Sequence, residues 1–423
     1  MNDAPPARVV PRRLGLFEGY GVEIEYMVVD SRALAVAPIT DEFLKALAGR
    51  VVSACAQGPV TWSNELALHV VELKSSGPVA DLLALPSAFQ QAVSRAASTL
   101  EVMGARLLPT AMHPLMDPFR ETRLWPHGDA EIYAAFDRIF DCRGHGWSNL
   151  QSVHLNLPFL DDDEFGRLHA ATRAVLPLLP MLAASSPIVE GRVTGTLDNR
   201  LRFYRENCRR LPSVTGTVIP EPLFDQDSYG RGVYDAIRGE LAPHAGAEEL
   251  DPVWVNARGA IARFDRGSIE IRLLDSQECV QADIAILAAT SALVRGLVEE
   301  RWCTAKAQRA LDTHALAAVL SQTIEGGSEA KLEPAPLLAC LGLPSRTLSG
   351  RDLWRLVIER LLAEHLLVDD PGFVAPLELI LQHGCLAQRL VTGLGREPAR
   401  EAVVETYREL GDCLVDGRSF VPG

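Results

Sequence analysis

The chain has 423 residues, of which 48% are hydrophobic and 23% charged, and its 41 Lys and Arg against 55 Asp and Glu give a formal net charge of −14. The apolar fraction excludes a disordered scaffold, and the acidic balance disfavours general binding to nucleic acid. The length suffices for one large domain or two smaller ones. No apolar run reaches the about 20 residues of a membrane span, so we expect no membrane association.

The N-terminal segment MNDAPPARVVPRRLG contains charges and prolines but no apolar stretch. We therefore expect no secretion signal, and we predict a flexible arm over residues 1–13. The eight cysteines are scattered and form no CxxC pair, which is typical of reduced thiols. These features favour a cytoplasmic protein that contains neither disulfides nor a cysteine-rich zinc site.

Strand and helix patterns are interspersed without a regular βαβ repeat. Strands are predicted at 20–30, 66–74, 105–110, 150–159 and 268–275. Helices are predicted at 40–50, with Thr40 or Asp41 as its cap, at 85–104 and at 161–184, followed by a loop at 191–217 and an almost wholly helical region after 279. The pattern predicts an α+β fold with a mostly antiparallel sheet and helices on one face. A weak boundary near 325–332 divides residues 14–325 from a helical C-terminal extension, 326–423.

Polar side chains recur at every second position inside the apolar strands. This spacing places them on one face of a strand, and it holds for Glu23 with Glu25, His154 with Asn156, and Glu270 with Arg272, while Glu72 lies inside HVVELK. Taken singly, each pattern also fits a solvent-exposed face or a cross-strand ion pair. Unpaired charge beside a core is costly, so we predict that the carboxylates hold divalent cations, with Mg²⁺ or Mn²⁺ favoured by oxygen ligands.

Arginines are concentrated between residues 190 and 210, where six of them accompany only three acidic residues: Arg192, Arg200, Arg202, Arg205, Arg209 and Arg210. The planar guanidinium suits phosphate and carboxylate oxygens, although a solvated charged helix explains the stretch equally well. The sequence has neither a GxxxxGK[ST] loop nor a GxGxxG turn before a helix. Any ATP site therefore uses neither a P-loop nor a Rossmann crevice.

Eight segments occur in a characteristic order: GVEIEYMVVD (21–30), VVELKSSGP (70–78), AMHPLMD (111–117), QSVHLN (151–156), AASSPIVEG (183–191), DNR (198–200), VWVNARG (253–259) and SIEIRLLDSQE (268–278). Together they resemble the glutamate–cysteine ligase type 2 family, the carboxylate–amine ligases of the glutamine synthetase superfamily. The resemblance covers roughly residues 14–300.

The resemblance implies a glutamine synthetase-like half-barrel, a curved antiparallel sheet that holds ATP and Mg²⁺ or Mn²⁺ on its concave face and helices on its convex face. It implies metal binding by Glu23, Glu25, Glu72 and Glu270. It also implies catalytic roles for Arg200 and Arg272, and ATP or substrate binding by His154, Asn156, Arg202 and Arg258.

The implied reaction is ATP-dependent amide formation through an acyl phosphate, with γ-glutamyl transfer to cysteine or another amine. Three features depart from the family pattern: Ser152 replaces the first histidine of His-x-His, Asn256 replaces an aspartate, and HLNLP replaces the glycine-ended HVHVG. Because the carboxylates are kept, we expect metal and nucleotide binding, while the identity of the acid and the amine stays open.

Three alternatives remain at this stage. The fold could transfer phosphate to an amine or guanidine without forming an amide, or bind nucleotide without turnover. The strand charges could also be no more than salt-bridged solvent faces. The expected partners are a small carboxylate and a small amine, with no nucleic acid and no membrane, and homo-oligomer formation is left open.

Overall fold

The computed structural model describes residues 13–333 and 335–422, so the predicted arm at 1–13 lies outside the described residues except for Arg13. Twelve strands are present among the described residues. They are β1 (Gly21–Asp30), β2 (Ala54–Gln57), β3 (Val60–Asn64), β4 (Val70–Ser75), β5 (Ala105–Leu108), β6 (Ser152–Pro158), β7 (Ile188–Val189), β8 (Arg192–Val193), β9 (Ala260–Arg263), β10 (Ser268–Asp275), β11 (Lys331–Leu332) and β12 (Leu348–Ser349).

Eight of these strands form one sheet. Seven follow the order β2-β3-β4-β1-β6-β10-β9, and the eighth, β5, pairs with the C-terminal part of β1, residues 27–30. Neighbouring strands run antiparallel throughout this sheet. The register between β10 and β6 shifts between Ile271 and Leu274, which is a bulge. The predicted α+β fold with a curved, mostly antiparallel sheet is confirmed.

The helices between the strands are mostly short. Those before residue 279 are α1 (Thr40–Ala48), α2 (Leu85–Val102), α3 (Pro118–Glu121), α4 (Ala130–Phe140), α5 (His145–Ser148), α6 (Asp162–Val175), α7 (Pro180–Ala183), α8 (Asn199–Tyr204), α9 (Pro212–Thr215), α10 (Gln226–Tyr229), α11 (Asp235–Leu241) and α12 (Pro252–Val255). Those after it are α13 (Val280–Val298), α14 (Ala305–Arg309), α15 (Thr313–Gly326), α16 (Pro336–Cys340), α17 (Gly350–Ala363), α18 (Pro371–His383), α19 (Leu386–Leu394) and α20 (Arg400–Asp416).

Buried apolar residues alternate with glutamates in the first half of β1, so the apolar side chains face the core and the glutamates face the other side of the sheet. Val22, Ile24 and Tyr26 are fully buried and share one hydrophobic core with apolar residues of α2, α6 and α13. Burial of each such side chain contributes about 1.5–3 kcal/mol. A slip of one residue would turn all of them to the other face, so the core fixes the face on which the intervening glutamates lie.

Several predicted elements differ in detail. The helix predicted at 161–184 ends at Val175 and continues as a 3₁₀ turn and α7, because Pro177 and Pro180 lack the N–H that an uninterrupted helix requires. Helix α1 begins at Thr40 without a side-chain cap, so the predicted capping role is wrong. The arginine-rich segment predicted as a loop contains β8, α8 and α9.

Helix α13 is almost completely buried and packs against α2 and α6 as well as against helices that follow it in the chain. It is the one helix among the described residues that is long and apolar enough to cross a membrane by composition, and 89% of its most apolar window is buried inside the protein. The expectation that no apolar stretch reaches this length is therefore wrong for α13, which is a core helix here. Helices α17 and α18 pack against α13, and α20 packs against α2 and β5. The division at residue 325 stays a prediction, and the helices beyond it share the core of the sheet.

Two buried histidines make the free energy of unfolding depend on pH. His69 Nε2 lies 2.7 Å from the Ser148 carbonyl oxygen, and His113 Nε2 lies 2.6 Å from that of Leu34. Burial lowers the pKa of both side chains to about 4. Because an unfolded histidine has a pKa of about 6.5, the unfolded chain takes up these protons first as the pH falls.

The stabilisation that the neutral histidines provide is therefore complete above about pH 6.5 and is lost as the pH falls towards 4, by at most about 1.4 kcal/mol per histidine and pH unit. We expect urea unfolding to show that lowering the pH from 7 to 5 destabilises His113→Gln less than it destabilises the original protein. The exposed His383, changed to Gln, provides the control. An unchanged pH difference in His113→Gln would contradict this account.

Candidate functional site

The predicted carboxylates meet on the face of the sheet opposite the core. Pairing of the central strands places Glu25 beside Glu72 and Glu23 beside His154. The next pair places Glu270 beside Asn156. The structure thus brings the β1, β4, β6 and β10 residues of the predicted site into one group, as expected from their two-residue spacing.

The tightest part of this group consists of Glu23, Glu72 and His154, each of which offers one donor atom within 4.8 Å of the others. His154 Nδ1 lies 3.3 Å from Glu23 Oε2, and Ser63 Oγ donates to Glu72 at 2.7 Å. Burial, with the charge of Glu23 next, raises the pKa of Glu72. Carboxylate oxygens and an imidazole nitrogen are ligands of divalent cations. Lys74 already forms an ion pair with Glu72, and a divalent cation would offset the repulsion that remains between Glu72 and Glu23, so these residues fit a metal ion.

Ser152 takes part in the same network. Its backbone N–H and its Oγ donate to Glu25 Oε2 at 2.6 and 2.9 Å, and Oγ lies 2.8 Å from His154 Nε2. The serine therefore links a carboxylate of β1 to the histidine of β6. Ser152 stands where the family pattern has a histidine, and it keeps Glu25 and His154 in polar contact with each other through its hydroxyl group.

Glu270 is held by two arginines. Arg272 lies 2.9 Å from its carboxylate and Arg263 lies 3.5 Å away. Burial opposes the charged form of Glu270, but Arg272 and then His154 outweigh this effect and lower the pKa of the carboxyl. Glu270 is therefore ionised at neutral pH. Arg272 lies within the bulge of β10, a feature that commonly redirects a side chain beside an active site.

Arg200 is buried beneath the same region. It lies 3.2 Å from Asp275 and donates to the Arg272 carbonyl oxygen at 2.6 Å. Among the described residues, the Nε atoms of Arg200 and Arg272 have no hydrogen-bond partner although both are buried. An unsatisfied buried donor is costly, and both arginines line a cavity beside the carboxylates, where their positive charge would favour an anionic ligand.

The remaining predicted residues lie in different surroundings. Asn156 Nδ2 donates to Glu23 at 3.2 Å and belongs to the group. Arg258 instead forms a two-point ion pair with Glu221, at 2.6 and 2.7 Å, and donates to Asn256 Oδ1 at 3.0 Å. Arg202 is exposed and lies over the ring of Phe203. The structure does not place Arg202 or Arg258 with the carboxylates.

Three cavities surround the carboxylates. The strand-end cavity, about 580 Å³, lies where the central strands of the sheet begin or end. Its lining includes Gly21, Val22, Glu23, Pro78, Asn156 and Ser268. The acid-side cavity, about 130 Å³, is lined by residues including Glu25, Glu65, Ser152, His154, Arg200 and Arg272. The aromatic cavity, about 420 Å³, is lined by residues including Glu65, Ile132, Tyr133, Phe136, Trp147 and Trp254. Glu65 and Arg272 line both of the last two cavities.

Glu65 was not among the residues predicted from the sequence. It follows β3 and so lies outside the strand pattern that identified the other glutamates. Burial, followed by the charges of Glu72 and Glu25, raises the pKa of Glu65 well above its usual value. A carboxyl group perturbed in this way and facing two cavities is typical of a functional site. The one available signal was an acidic residue in the turn before the strand that carries Glu72.

Comparison with known proteins shows the family to which the chain belongs. The sequence profile of glutamate–cysteine ligase family 2 matches residues 20–409. An uncharacterized protein of Archaeoglobus fulgidus is 33% identical over 394 residues, which are 93% of this chain and 98% of that protein. A Corynebacterium glutamicum protein named "Putative glutamate--cysteine ligase 2" is 27% identical over 65% of this chain and 66% of its own length.

Among solved structures, the glutamate–cysteine ligase of Francisella tularensis, crystallised with AMP, superposes with a TM-score of 0.62. The match covers 97% of this chain and 91% of that one at 11% identity, so it shows a shared fold. The profile match extends over most of the sequence and includes every predicted site residue. The chain belongs to glutamate–cysteine ligase family 2.

Proposed function

We propose that the protein is an ATP- and Mg²⁺-dependent carboxylate–amine ligase that forms an amide through an acyl phosphate. The observation that carries this proposal is the carboxylate and histidine group between a nucleoside-sized cavity and a smaller cavity lined by arginines. Family membership supports it, and so does the AMP complex of the structurally similar Francisella ligase.

ATP would occupy the strand-end cavity. Its volume of about 580 Å³ lies within the ~300–1,000 Å³ typical of small-molecule sites, and Pro78 and Pro158 provide apolar contacts for a base. Glu23 and Asn156 form the part of this cavity that adjoins the carboxylates. Glu23, Glu25, Glu72, Glu270 and His154 would hold Mg²⁺, which offsets the charge of phosphate oxygens during phosphoryl transfer.

The acid substrate would bind in the acid-side cavity. The guanidinium groups of Arg200 and Arg272, which line this cavity, would attract its carboxylate and orient it. One carboxylate oxygen attacks the γ-phosphorus, the bond between this phosphorus and the β–γ bridging oxygen breaks, and ADP and an acyl phosphate result. Arg272, held by Glu270, would stabilise the negative charge of the transferring group because it is already in position.

The amine would reach the acyl phosphate from the aromatic cavity, on the side of Glu65. Pairing with the ammonium group would favour the ionised form of Glu65, whose proton passes to solvent. The carboxylate then takes a proton from the ammonium, and the free nitrogen attacks the acyl carbon. The bond from this carbon to the phosphate oxygen then breaks, and inorganic phosphate leaves. The sequence contains no nucleophile-elbow motif, and this route needs no protein nucleophile.

Hydroxylamine tests the acyl phosphate directly because this small nucleophile needs no acceptor pocket. With MgATP and L-glutamate, we expect ADP and a hydroxamate in equal amounts, and neither when EDTA is in excess of Mg²⁺. MgATP should also raise Tm, since a ligand that binds only the native state at 100 times its Kd adds about 2.7 kcal/mol of stability. Products are identified by mass spectrometry and binding is followed by thermal melts.

Other acids would be examined if glutamate were inactive. Phosphorylated amine with ADP but no hydroxamate would instead establish phosphotransfer. A rise in Tm without ADP release for any acid would establish a non-catalytic nucleotide-binding protein. No rise in Tm at millimolar MgATP would contradict the proposed nucleotide site.

A further inference from the structure

The aromatic cavity is built for an apolar ligand. Its walls come from α4 and α12, which are more than one hundred residues apart in the sequence, and from α5. Phe136 is buried, Trp147 is half-buried, and Trp254 at 52% exposed stands where solvent reaches the cavity. At about 420 Å³ the cavity has three times the volume of the acid-side cavity. A small polar amine would leave most of this aromatic surface in contact with water.

The ionisable side chains that line the cavity are mainly acidic. Glu65 and Asp129 are the acids, and the single cationic residue of the lining is Arg272. That guanidinium is paired with Glu270 at 2.9 Å, and the proposed reaction assigns it to the acid substrate and the transferring phosphoryl group. Asn256, which stands nearby, already accepts from Arg258 and donates to Tyr229. The lining that the structure describes therefore offers no unpaired cation to a carboxylate on the amine, whereas it offers Glu65 to an ammonium group.

We propose that the acceptor is a primary amine with an aromatic body and no carboxylate, an arylalkylamine. This inference rests on the proposed ligase function and names the class of its second substrate. The ammonium group faces Glu65, and the ring lies among Phe136, Trp147 and Trp254, where aromatic rings favour edge and offset contacts. The ammonium group ionises Glu65 by pairing with it, and the Glu65 proton passes to solvent. The carboxylate then takes one ammonium proton, the nitrogen replaces phosphate on the acyl carbon, and the products are an N-arylalkyl amide and inorganic phosphate.

Phenethylamine, L-phenylalanine and L-cysteine test this specificity. The first two differ by a carboxylate alone, and the third lacks the ring. With saturating MgATP and the acid identified by the hydroxylamine reaction, we expect kcat/KM for phenethylamine to exceed that for each amino acid at least about tenfold. Equal or better activity with phenylalanine or cysteine would overturn the proposal. Hydroxamate formation without a preference for phenethylamine would do the same, while leaving the ligase function intact.

Binding gives a readout that does not depend on turnover. We expect phenethylamine to change the tryptophan fluorescence of the protein in a saturable manner, because Trp147 and Trp254 line the cavity. Phenylalanine at the same concentration should change it less. If no hydroxamate forms at all, the proposed function fails, and this titration still decides whether the cavity accepts an arylalkylamine.

Two variants locate the effect in the aromatic cavity. Trp254→Ala, at a half-exposed position, should raise KM for phenethylamine about tenfold. Val368→Ala, equally exposed at 52% but outside the cavity lining, serves as the control.

Asp129 is exposed and caps α4 without a side-chain hydrogen bond, so Asp129→Asn should preserve the fold. It should raise the ratio of phenylalanine to phenethylamine activity several-fold because it removes one repulsive charge. An unchanged ratio, together with an unchanged KM in Trp254→Ala, would overturn the assignment.

Discussion

We expect Glu270→Gln and Glu23→Gln each to lower kcat by about a thousandfold or more. A metal ion contributes several kcal/mol of charge stabilisation to a phosphoryl-transfer transition state, and about 4 kcal/mol corresponds to a thousandfold in rate. Glutamine keeps the size of the side chain but removes the charge that would hold the cation. At Glu270 it also removes the partner of Arg272 at 2.9 Å. The measurements are ADP release and hydroxamate formation.

Glu101→Gln provides a matched control because Glu101 is exposed on α2, far from the sheet face that carries the site. Thermal melts without ligand should show that Glu23→Gln remains folded, since the side chain of Glu23 is partly exposed at 19%. The rise in Tm caused by MgATP should be smaller in this variant than in the original protein. Full activity in both variants would show that the metal assignment is wrong.

We expect Arg389→Met to lower the free energy of unfolding by about 3–5 kcal/mol, the usual cost of removing one partner of a buried ion pair. Arg389 of α19 lies 2.6 Å from Glu278, which follows β10, and both side chains are almost completely buried. Arg389 also donates to the Phe420 carbonyl oxygen. The substitution leaves the Glu278 carboxylate buried without its cation.

The double variant Arg389→Met with Glu278→Gln should recover part of this loss because it leaves no buried charge unpaired. Urea unfolding of the original protein, the two single variants and the double variant gives the coupling energy. Arg408→Met, in the exposed pair with Glu405, should change stability by less than about 1 kcal/mol. A similarly small effect of Arg389→Met would show that the C-terminal helices are not held to the sheet by this pair.

Much of the face that carries the carboxylates follows from local sequence. In β1 the alternation of Glu23 and Glu25 with buried apolar residues determines a common face for both carboxylates, because the side-chain period of a strand is two. The same reasoning identifies Glu72, His154 and Glu270. The order of the matching segments then identified the family. Even the break in the predicted helix at 161–184 was readable from Pro177 and Pro180, whose effect is local.

The roles of the arginines were decided by packing. Arg200 and Arg202 are neighbours in the same arginine-rich segment, but helix α8 buries the first beside Asp275 and leaves the second exposed. Arg258 lies beside Asn256 in a recognisable motif, yet Glu221 occupies its guanidinium. A one-dimensional pattern gives the residue type and the spacing. It does not reveal which charged partner a distant segment supplies.

The sequence by itself determined the fold class, the family and the strand carboxylates, because these depend on periodicity and on ordered local motifs. Only the tertiary structure revealed Glu65 as the acidic group shared by two cavities, and only it brought α4 and α12 together around an aromatic space. Cavities are bounded by side chains that are remote in sequence, and their charge depends on which ion pairs have already formed. The residues of the proposed chemistry were thus readable from the chain, whereas the proposed choice of amine depends on packing.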